Sequence, residues 1–190
     1  MSRLQLSNIF KKGWYTLATW KVDSSHTNVG FSVRHMMVSK VRGRFTDLEG
    51  TIDGDPRELE NAKVNFKIEA ATIHTNNEDR DNHLRSGDFF EVEKYPDITF
   101  NSTKTEKTGD GKYDISGDMT IKDVTKQITF AAEYLGSGKN PWGVEVVAFE
   151  VTGKISREEF GLTWNQALET GGVLVGDDIE INIELQANPA

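Results

Sequence analysis

Histidine is the residue of this sequence best suited to metal binding or proton transfer, and it occurs four times, at His26, His35, His74 and His83. A zinc site needs three or four ligands at suitable spacing. The sequence has no HExxH motif and no histidine pair at helical i, i+4 spacing. It has no cysteine, which excludes disulfides and thiolate chemistry. We therefore predict structural histidines and no metal, and we keep a metal-assisted enzyme using these histidines as an alternative.

Other candidates for catalysis are weak for geometric reasons. Three pairs of acidic residues are adjacent or nearly adjacent in the sequence: Asp79 with Asp81, Asp177 with Asp178, and Glu158 with Glu159. General acid–base catalysis needs two carboxylates facing one cleft, whereas adjacent side chains on a strand point apart. The segment Ser24–His26 lacks the strand–elbow–helix context of a nucleophilic serine. Because no glycine-rich nucleotide motif is present either, we predict no catalytic residue, no cofactor and no enzymatic activity.

Length and charge limit the possible partners. The chain has 190 residues, a length that suits one domain. Its net charge of −8 argues against a nucleic-acid partner, because phosphate binding needs a concentrated basic face. The same charge argues against broad docking on anionic lipid head groups.

The N-terminal segment differs from the remainder of the sequence. No stretch approaches 18 uninterrupted apolar residues, and Lys11 and Lys12 interrupt the position of a signal-peptide core. We predict an N-terminal arm or leader over residues 1–16 and one domain over residues 17–188. We also predict a cytoplasmic location and no stable membrane insertion.

Alternation of apolar and polar residues dominates the domain. It is clearest in Lys63–Ala70, Gln127–Tyr134 and Asp178–Gln186. Strands with one dry and one wet face are typical of antiparallel sheets. Turn residues separate these stretches at Gly109–Gly111, Lys122–Asp123 and Gly136–Pro141, and a long strand is expected over Val41–Ile52. The pattern predicts an all-β fold, an antiparallel barrel of about eight strands.

One segment breaks the alternation. Asn76–Phe90 is rich in charged residues, and Asn76 or Asn77 can cap a short helix near residues 77–87 that Gly87 ends. We expect this insert to cover one barrel end, with Leu84, Phe89 and Phe90 turned inward and Asp79, Arg80, Asp81 and His83 facing water or bracing neighbouring strands.

Large apolar residues recur at inward-facing positions or beside the insert. The candidate pocket residues are Phe31, Val33, Phe45, Phe66, Ile68, Leu84, Phe89, Phe90, Phe100, Met119, Phe130, Phe160 and Trp164. A small eight-stranded barrel is either filled by its own side chains or holds one ligand. Apolar residues alone do not separate a solid barrel, acting as a ligand-free interaction module, from a hollow one.

Short motif blocks follow one another along nearly the whole domain, from Trp20 to Leu185. The central and most specific are Asn77–Leu84, Ser86–Phe90 and Tyr95–Ser102. The others are Trp20–His26, Val29–His35, Val41–Phe45, Gly50–Ile52, Gly117–Ile121, Val124–Lys126, Gly153–Arg157 and Glu159–Gly161. In these blocks the chain resembles the YceI-like family of bacterial polyisoprenoid-binding proteins.

The resemblance implies both a fold and a ligand class. It implies an extended, lipocalin-like barrel, a homodimer, and a long interior pocket for a polyisoprenoid, an isoprenoid quinone or another long-chain lipid. Many relatives are periplasmic, which differs from the location expected for this chain. The expected function is binding of a long apolar lipid in the barrel, for carriage or storage.

Overall fold

A computed structural model describes residues 18–190, so the predicted arm over residues 1–16 lies outside the described residues. The elements in chain order are β1 (Thr19–Val22), β2 (Asn28–His35), β3 (Ser39–Phe45), β4 (Leu48–Asp53), β5 (Lys63–Glu69), β6 (Ile73–His74), α1 (Glu78–Arg85), β7 (Asp97–Gly109), β8 (Lys112–Ile121), β9 (Val124–Lys139), β10 (Glu145–Ser156) and β11 (Val175–Pro189). Short 3-10 turns lie at Ser24–His26, Leu59–Asn61, Ala70–Thr72 and Glu158–Phe160.

Eight of the strands close into an antiparallel barrel, as the sequence predicted. Their order is β1-β4-β5-β7-β8-β9-β10-β11, and pairing of β11 with β1 completes the ring. β2, β3 and β6 continue the sheet from β11 towards one end of the barrel. Because β1 and β2 both pair with β11, the short turn Ser24–His26 merely interrupts one long barrel strand.

Two strand predictions were wrong in their limits. The expected strand Val41–Ile52 is divided into β3 and β4, because Thr46 and Asp47 leave the ladder and both donate their N–H groups to Thr72 Oγ1 at 3.3 Å. β9 extends to Lys139, so the first four residues of the expected turn Gly136–Pro141 belong to the strand. A register shift between Ala148 and Phe149 of β10, opposite Gly136, accommodates that stretch within the ladder.

The side-chain alternation places the core inside the barrel. In β8, Tyr113, Ile115, Gly117, Met119 and Ile121 are buried, while the residues that alternate with them are more exposed. The Tyr113 hydroxyl donates to the Arg57 carbonyl at 2.8 Å, which satisfies its polar end at the barrel wall. No helix within residues 18–190 has the length and apolar character needed to cross a bilayer.

The helix α1 covers a free sheet edge. β6 is the last strand in the sheet order, and an uncovered edge leaves backbone groups unpaired. Arg85 donates to the carbonyls of Ala71 (2.7 Å) and Ile73 (3.0 Å), and Arg80 donates to that of Thr75 (2.8 Å). Two arginines of one helix thus satisfy alternate carbonyls along the edge, which fixes α1 against the barrel.

Candidate functional site: an apolar cavity in the barrel

The barrel is hollow. It encloses a cavity of about 490 Å³, within the size range of small-molecule sites. Its wall is mostly apolar, and Thr75, Asp79, Arg80 and His83 border it where α1 lies. Of the predicted pocket residues, the structure places on the wall Phe31, Val33, Phe45, Phe66, Ile68, Leu84, Phe89, Phe90, Phe100, Met119, Phe130 and Trp164. That these side chains contact a ligand stays a prediction.

Phe160 is the one predicted pocket residue that does not line the cavity. Its side chain is fully buried in the turn Glu158–Phe160, which follows the end of β10 and contacts β9. Its N–H donates to the carbonyl of Arg157 at 3.1 Å. The residue therefore belongs to the hydrophobic core without lining the cavity, and its turn lies outside the alternating pattern of the strands.

Glycines on neighbouring strands leave room for the interior rings. Gly43 pairs with Phe31 across β2 and β3, and a Cβ atom at Gly43 would lie 2.3 Å from Phe31 Cζ. A Cβ atom at Gly153 would likewise lie 2.3 Å from Phe130 Cδ1. These rings lie against bare backbone. We infer that the rings occupy less of the lumen than they would if these positions carried side chains.

The segment after α1 closes the cavity on one side. The ring centroids of Phe90 and Phe45 are 6.0 Å apart in an edge-to-face arrangement. The ring of His83 packs edge-on against Phe89 at 5.1 Å and against Trp164 at 4.7 Å. His83 Nε2 also lies 2.8 Å from Asp88 Oδ2. These contacts join the insert to the loop that carries Trp164.

A buried carboxylate holds the start of α1. Asn77 caps the helix by accepting from the Arg80 N–H at 2.9 Å. Asp81 accepts from the Thr75 N–H at 2.8 Å and from the Thr75 hydroxyl, and it lies 3.2 Å from His74 Nδ1. Burial opposes ionisation of Asp81, but the bonds from Thr75 and His74 outweigh burial, so the pKa of Asp81 lies below its usual value. Asp81 therefore remains charged and braces the insert.

We expect the Asp81→Asn variant to be less stable by about 1.5–3 kcal/mol at neutral pH, the range for hydrogen bonds to a charged group. Because the folded-state pKa is lowered, the stabilisation is present above the unfolded value of 3.8 and is lost as pH falls below it. Denaturant unfolding from pH 7 to pH 2 measures this. Asp79→Asn, on the exposed side of the same turn, is the control, with a change below about 1 kcal/mol. Equal pH profiles for wild type and Asp81→Asn would contradict the assignment.

A second buried charge, that of Arg157, fixes the segment between β10 and β11. The Arg157 side chain is only 3% exposed. It donates to the carbonyls of Gly176 (2.8 Å), Trp164 (3.0 Å), Val175 (3.3 Å) and Leu162. Burial lowers the pKa of Arg157, and Glu158 and Asp177 partly oppose that effect. The guanidinium thereby ties the end of β10 to the start of β11 and to the segment between them, which contributes Leu162 and Trp164 to the cavity wall.

Three of the four histidines pair with different carboxylates. His26 contacts Asp23 at 2.8 Å, His74 contacts Asp81, His83 contacts Asp88, and His35 ends β2 at the cavity wall. Within residues 18–190, no three side chains of the types that bind metal are grouped for a metal ion. The rival metal-assisted function thus gains no support from the arrangement of these residues.

Sequence reasoning missed most of the aliphatic wall. The additional apolar residues include Val29, Val41, Ile73, Ile98, Val151, Leu174, Ile179, Ile181, Ile183 and Leu185. The alternation in Asp178–Gln186 already placed Ile179, Ile181, Ile183 and Leu185 on one face, so the signal was present there. Gly43 pairs with Phe31 and Gly50 pairs with Phe66. These glycines within strands were a second signal of space inside the barrel that the sequence analysis did not use.

Comparison with known proteins agrees with this geometry. The chain is 41% identical over 165 residues to a UPF0312 protein of Staphylococcus aureus strain USA300. The aligned residues cover 86% of this chain and 94% of that protein. The crystal structure of a Campylobacter jejuni YCEI protein matches with a TM-score of 0.70 and 40% identity, over 88% of this chain and 96% of that one. A polyisoprenoid binding domain from Saccharophagus degradans shares the fold at 13% identity, with a TM-score of 0.64 over 91% and 99% of the two chains.

The closed antiparallel ring and its apolar interior define a lipocalin-like β-barrel. The model of the YceI-like domain matches residues 20–187. The chain therefore belongs to the YceI-like family.

Proposed function

We propose that this protein binds one long-chain apolar lipid in the barrel, a polyisoprenoid, an isoprenoid quinone or a similar molecule, for carriage or storage. The observation that carries the proposal is the cavity of about 490 Å³ with an apolar wall inside the barrel. The Saccharophagus degradans polyisoprenoid binding domain has the same fold, which supports this ligand class. The cavity favours this function over a ligand-free interaction module.

The energetics suit a ligand with few polar atoms. Burial of roughly 500 Å² of ligand surface at about 25 cal/mol/Å² contributes about 12 kcal/mol before costs. Lost motion and frozen torsions remove roughly 4–15 kcal/mol of this. A preformed apolar cavity reduces the cost, because the protein need not reorganise to receive the chain. Selectivity among chain chemistries should be modest, and the cavity depth should limit ligand length.

Organic extraction of the purified protein followed by mass spectrometry tests the proposal. We expect a co-purifying isoprenoid or other long-chain lipid at close to one molecule per chain. An extract without lipid, together with no displacement of an apolar fluorophore by polyprenol, quinone or fatty lipid, would contradict it.

Metal analysis of the same preparation addresses the rival enzyme. Stoichiometric zinc or iron would favour a metal-assisted function at the histidines. The homodimer and the cytoplasmic location stay predictions, and light scattering and cell fractionation test them.

A further inference from the structure

The tip of the β2–β3 hairpin exposes three consecutive large apolar side chains. Met36 is 48% exposed, Met37 58% and Val38 81%. Soluble proteins seldom display such residues side by side unless the patch binds something. We call Met36, Met37 and Val38 the hairpin tip.

The backbone of the hairpin tip is unfavourable for these residues. Met36 has φ of 52° and Met37 has φ of 65°, and the Val38 N–H closes the turn on the His35 carbonyl at 3.2 Å. Tight turns with two positive φ values favour Asn-Gly, because bulky L-residues are strained there. The turn geometry therefore does not explain the two methionines. Strained residues of this kind are found at functional sites.

The hairpin tip lies beside the cavity. The Met36 N–H donates to the Leu174 carbonyl at 2.8 Å, and Leu174 and His35 both line the cavity. Val173, next to Leu174, is 39% exposed and adds to the apolar surface. The exposed apolar surface thus adjoins the part of the barrel wall formed by the ends of β2 and β11.

The outer face of the same hairpin is basic, although the whole chain has a net charge of −8. Arg34, Lys40, Arg42 and Arg44 are all exposed on it. Lys40 is paired with Glu180 at 2.5 Å, the carboxylate that faces the hairpin from β11. Within residues 18–190, no ion pair joins the three arginines to a carboxylate. Arg34 and Lys40 lie nearest the tip, and Arg42 and Arg44 follow along β3. An apolar tip on a strand pair with a basic face is a combination that suits an anionic bilayer surface.

We propose that the hairpin tip inserts into the head-group region of an anionic lipid bilayer while Arg34, Arg42 and Arg44 contact lipid phosphates. The contact is local, because the net charge opposes broad docking on the same surface. It holds the end of β2 and the start of β11 towards the bilayer, so that the part of the cavity lined by His35 and Leu174 lies nearest the lipid. A role of this contact in exchanging cargo rests on the proposed lipid binding. The bilayer contact itself does not depend on that function.

The test compares variants of the full chain in flotation assays with two kinds of vesicle, phosphatidylcholine containing phosphatidylglycerol and pure phosphatidylcholine. Met36→Asn with Met37→Gly removes the apolar tip and supplies the residues that this turn favours, so the variant should fold at least as well as wild type. We expect its binding to the anionic vesicles to fall at least about tenfold, a change of 1.4 kcal/mol. Arg34→Gln combined with Arg42→Gln and Arg44→Gln should remove the preference for anionic vesicles.

Trp142→Ser is the matched control. Trp142 is 84% exposed, in the loop between β9 and β10, at the end of the barrel away from the hairpin tip. Its replacement should leave vesicle binding unchanged. The proposal is overturned by any of three results: wild type fails to bind anionic vesicles, the hairpin variant binds like wild type, or that variant changes only the oligomeric state, which would assign the tip to a second copy of the chain.

A separate measurement distinguishes this proposal from the proposed function. Binding of an apolar fluorophore in vesicle-free solution should be the same for wild type and the hairpin variant, because the tip does not line the cavity. A wild type that takes up no fluorophore yet needs the tip for vesicle binding would refute lipid carriage and leave the bilayer contact standing.

Discussion

Replacing Val151 by tryptophan should reduce affinity for long apolar ligands by roughly fifty- to a hundredfold. Val151 lies in β10 opposite Ala132 and Ile183, and its partly exposed side chain borders the cavity. An indole there would occupy lumen. Displacing roughly 100 Å² of ligand contact at about 25 cal/mol/Å² costs about 2.5 kcal/mol of binding free energy. That cost corresponds to a loss of affinity of roughly fifty- to a hundredfold. Fluorophore displacement by a polyprenol measures the change.

The neighbouring position provides the control. Thr152 lies next on the same strand with its side chain exposed on the outer face, so Thr152→Trp adds the same bulk outside the barrel. We expect that variant to bind like wild type, and both variants to keep the β-sheet circular dichroism spectrum. Unchanged affinity in a folded Val151→Trp protein would mean that the ligand does not occupy the barrel.

Replacing Arg157 by leucine should destabilise the fold by about 3–5 kcal/mol. The substitution leaves the carbonyls of Leu162, Trp164 and Gly176 without the Arg157 donor. The Val175 carbonyl keeps a second donor, the Asn165 side-chain amide at 2.7 Å. Each unsatisfied buried group costs about 1–3 kcal/mol before local relaxation. For a chain of this size the loss corresponds to a fall in Tm of roughly 6–20 °C. Thermal and urea unfolding measure it.

Two variants separate the geometry of Arg157 from its charge. Arg157→Lys keeps a cation but has no planar fork of donors, so its stability should fall between wild type and Arg157→Leu. Lys154, in the same strand, pairs with Asp178 at the surface, and Lys154→Leu should change stability by less than about 1 kcal/mol. If Arg157→Leu and Lys154→Leu lose equal stability, the carbonyl network does not hold the loop.

Some features of the fold were readable from sequence because they are local. Alternation in a strand such as Asp178–Gln186 reports which of its faces is dry, and Asn77 marks the helix start through its own side chain. The eight-stranded antiparallel barrel, the helical insert and the hairpin at Gly109–Gly111 were predicted from such signals and are confirmed. The YceI-like resemblance is confirmed as well.

Other features arise from contacts between distant segments. The division of Val41–Ile52 depends on Thr72, a residue on another strand connection. Arg80 and Arg85 read as charged helix residues, but they satisfy a sheet edge that exists only once β6 has paired with β3. Phe160 is apolar and was expected in the pocket, but it is fully buried in a 3-10 turn and does not line the cavity.

The sequence by itself determined that this chain forms an antiparallel barrel with an apolar inner face, because each strand carries that information in its own alternation. Only the tertiary structure decided that the barrel is hollow. The size of a cavity is the difference between the space that eight strands enclose and the volume that all their inward side chains fill. That difference depends on pairs such as Phe31 with Gly43, which become neighbours only when the strands pair.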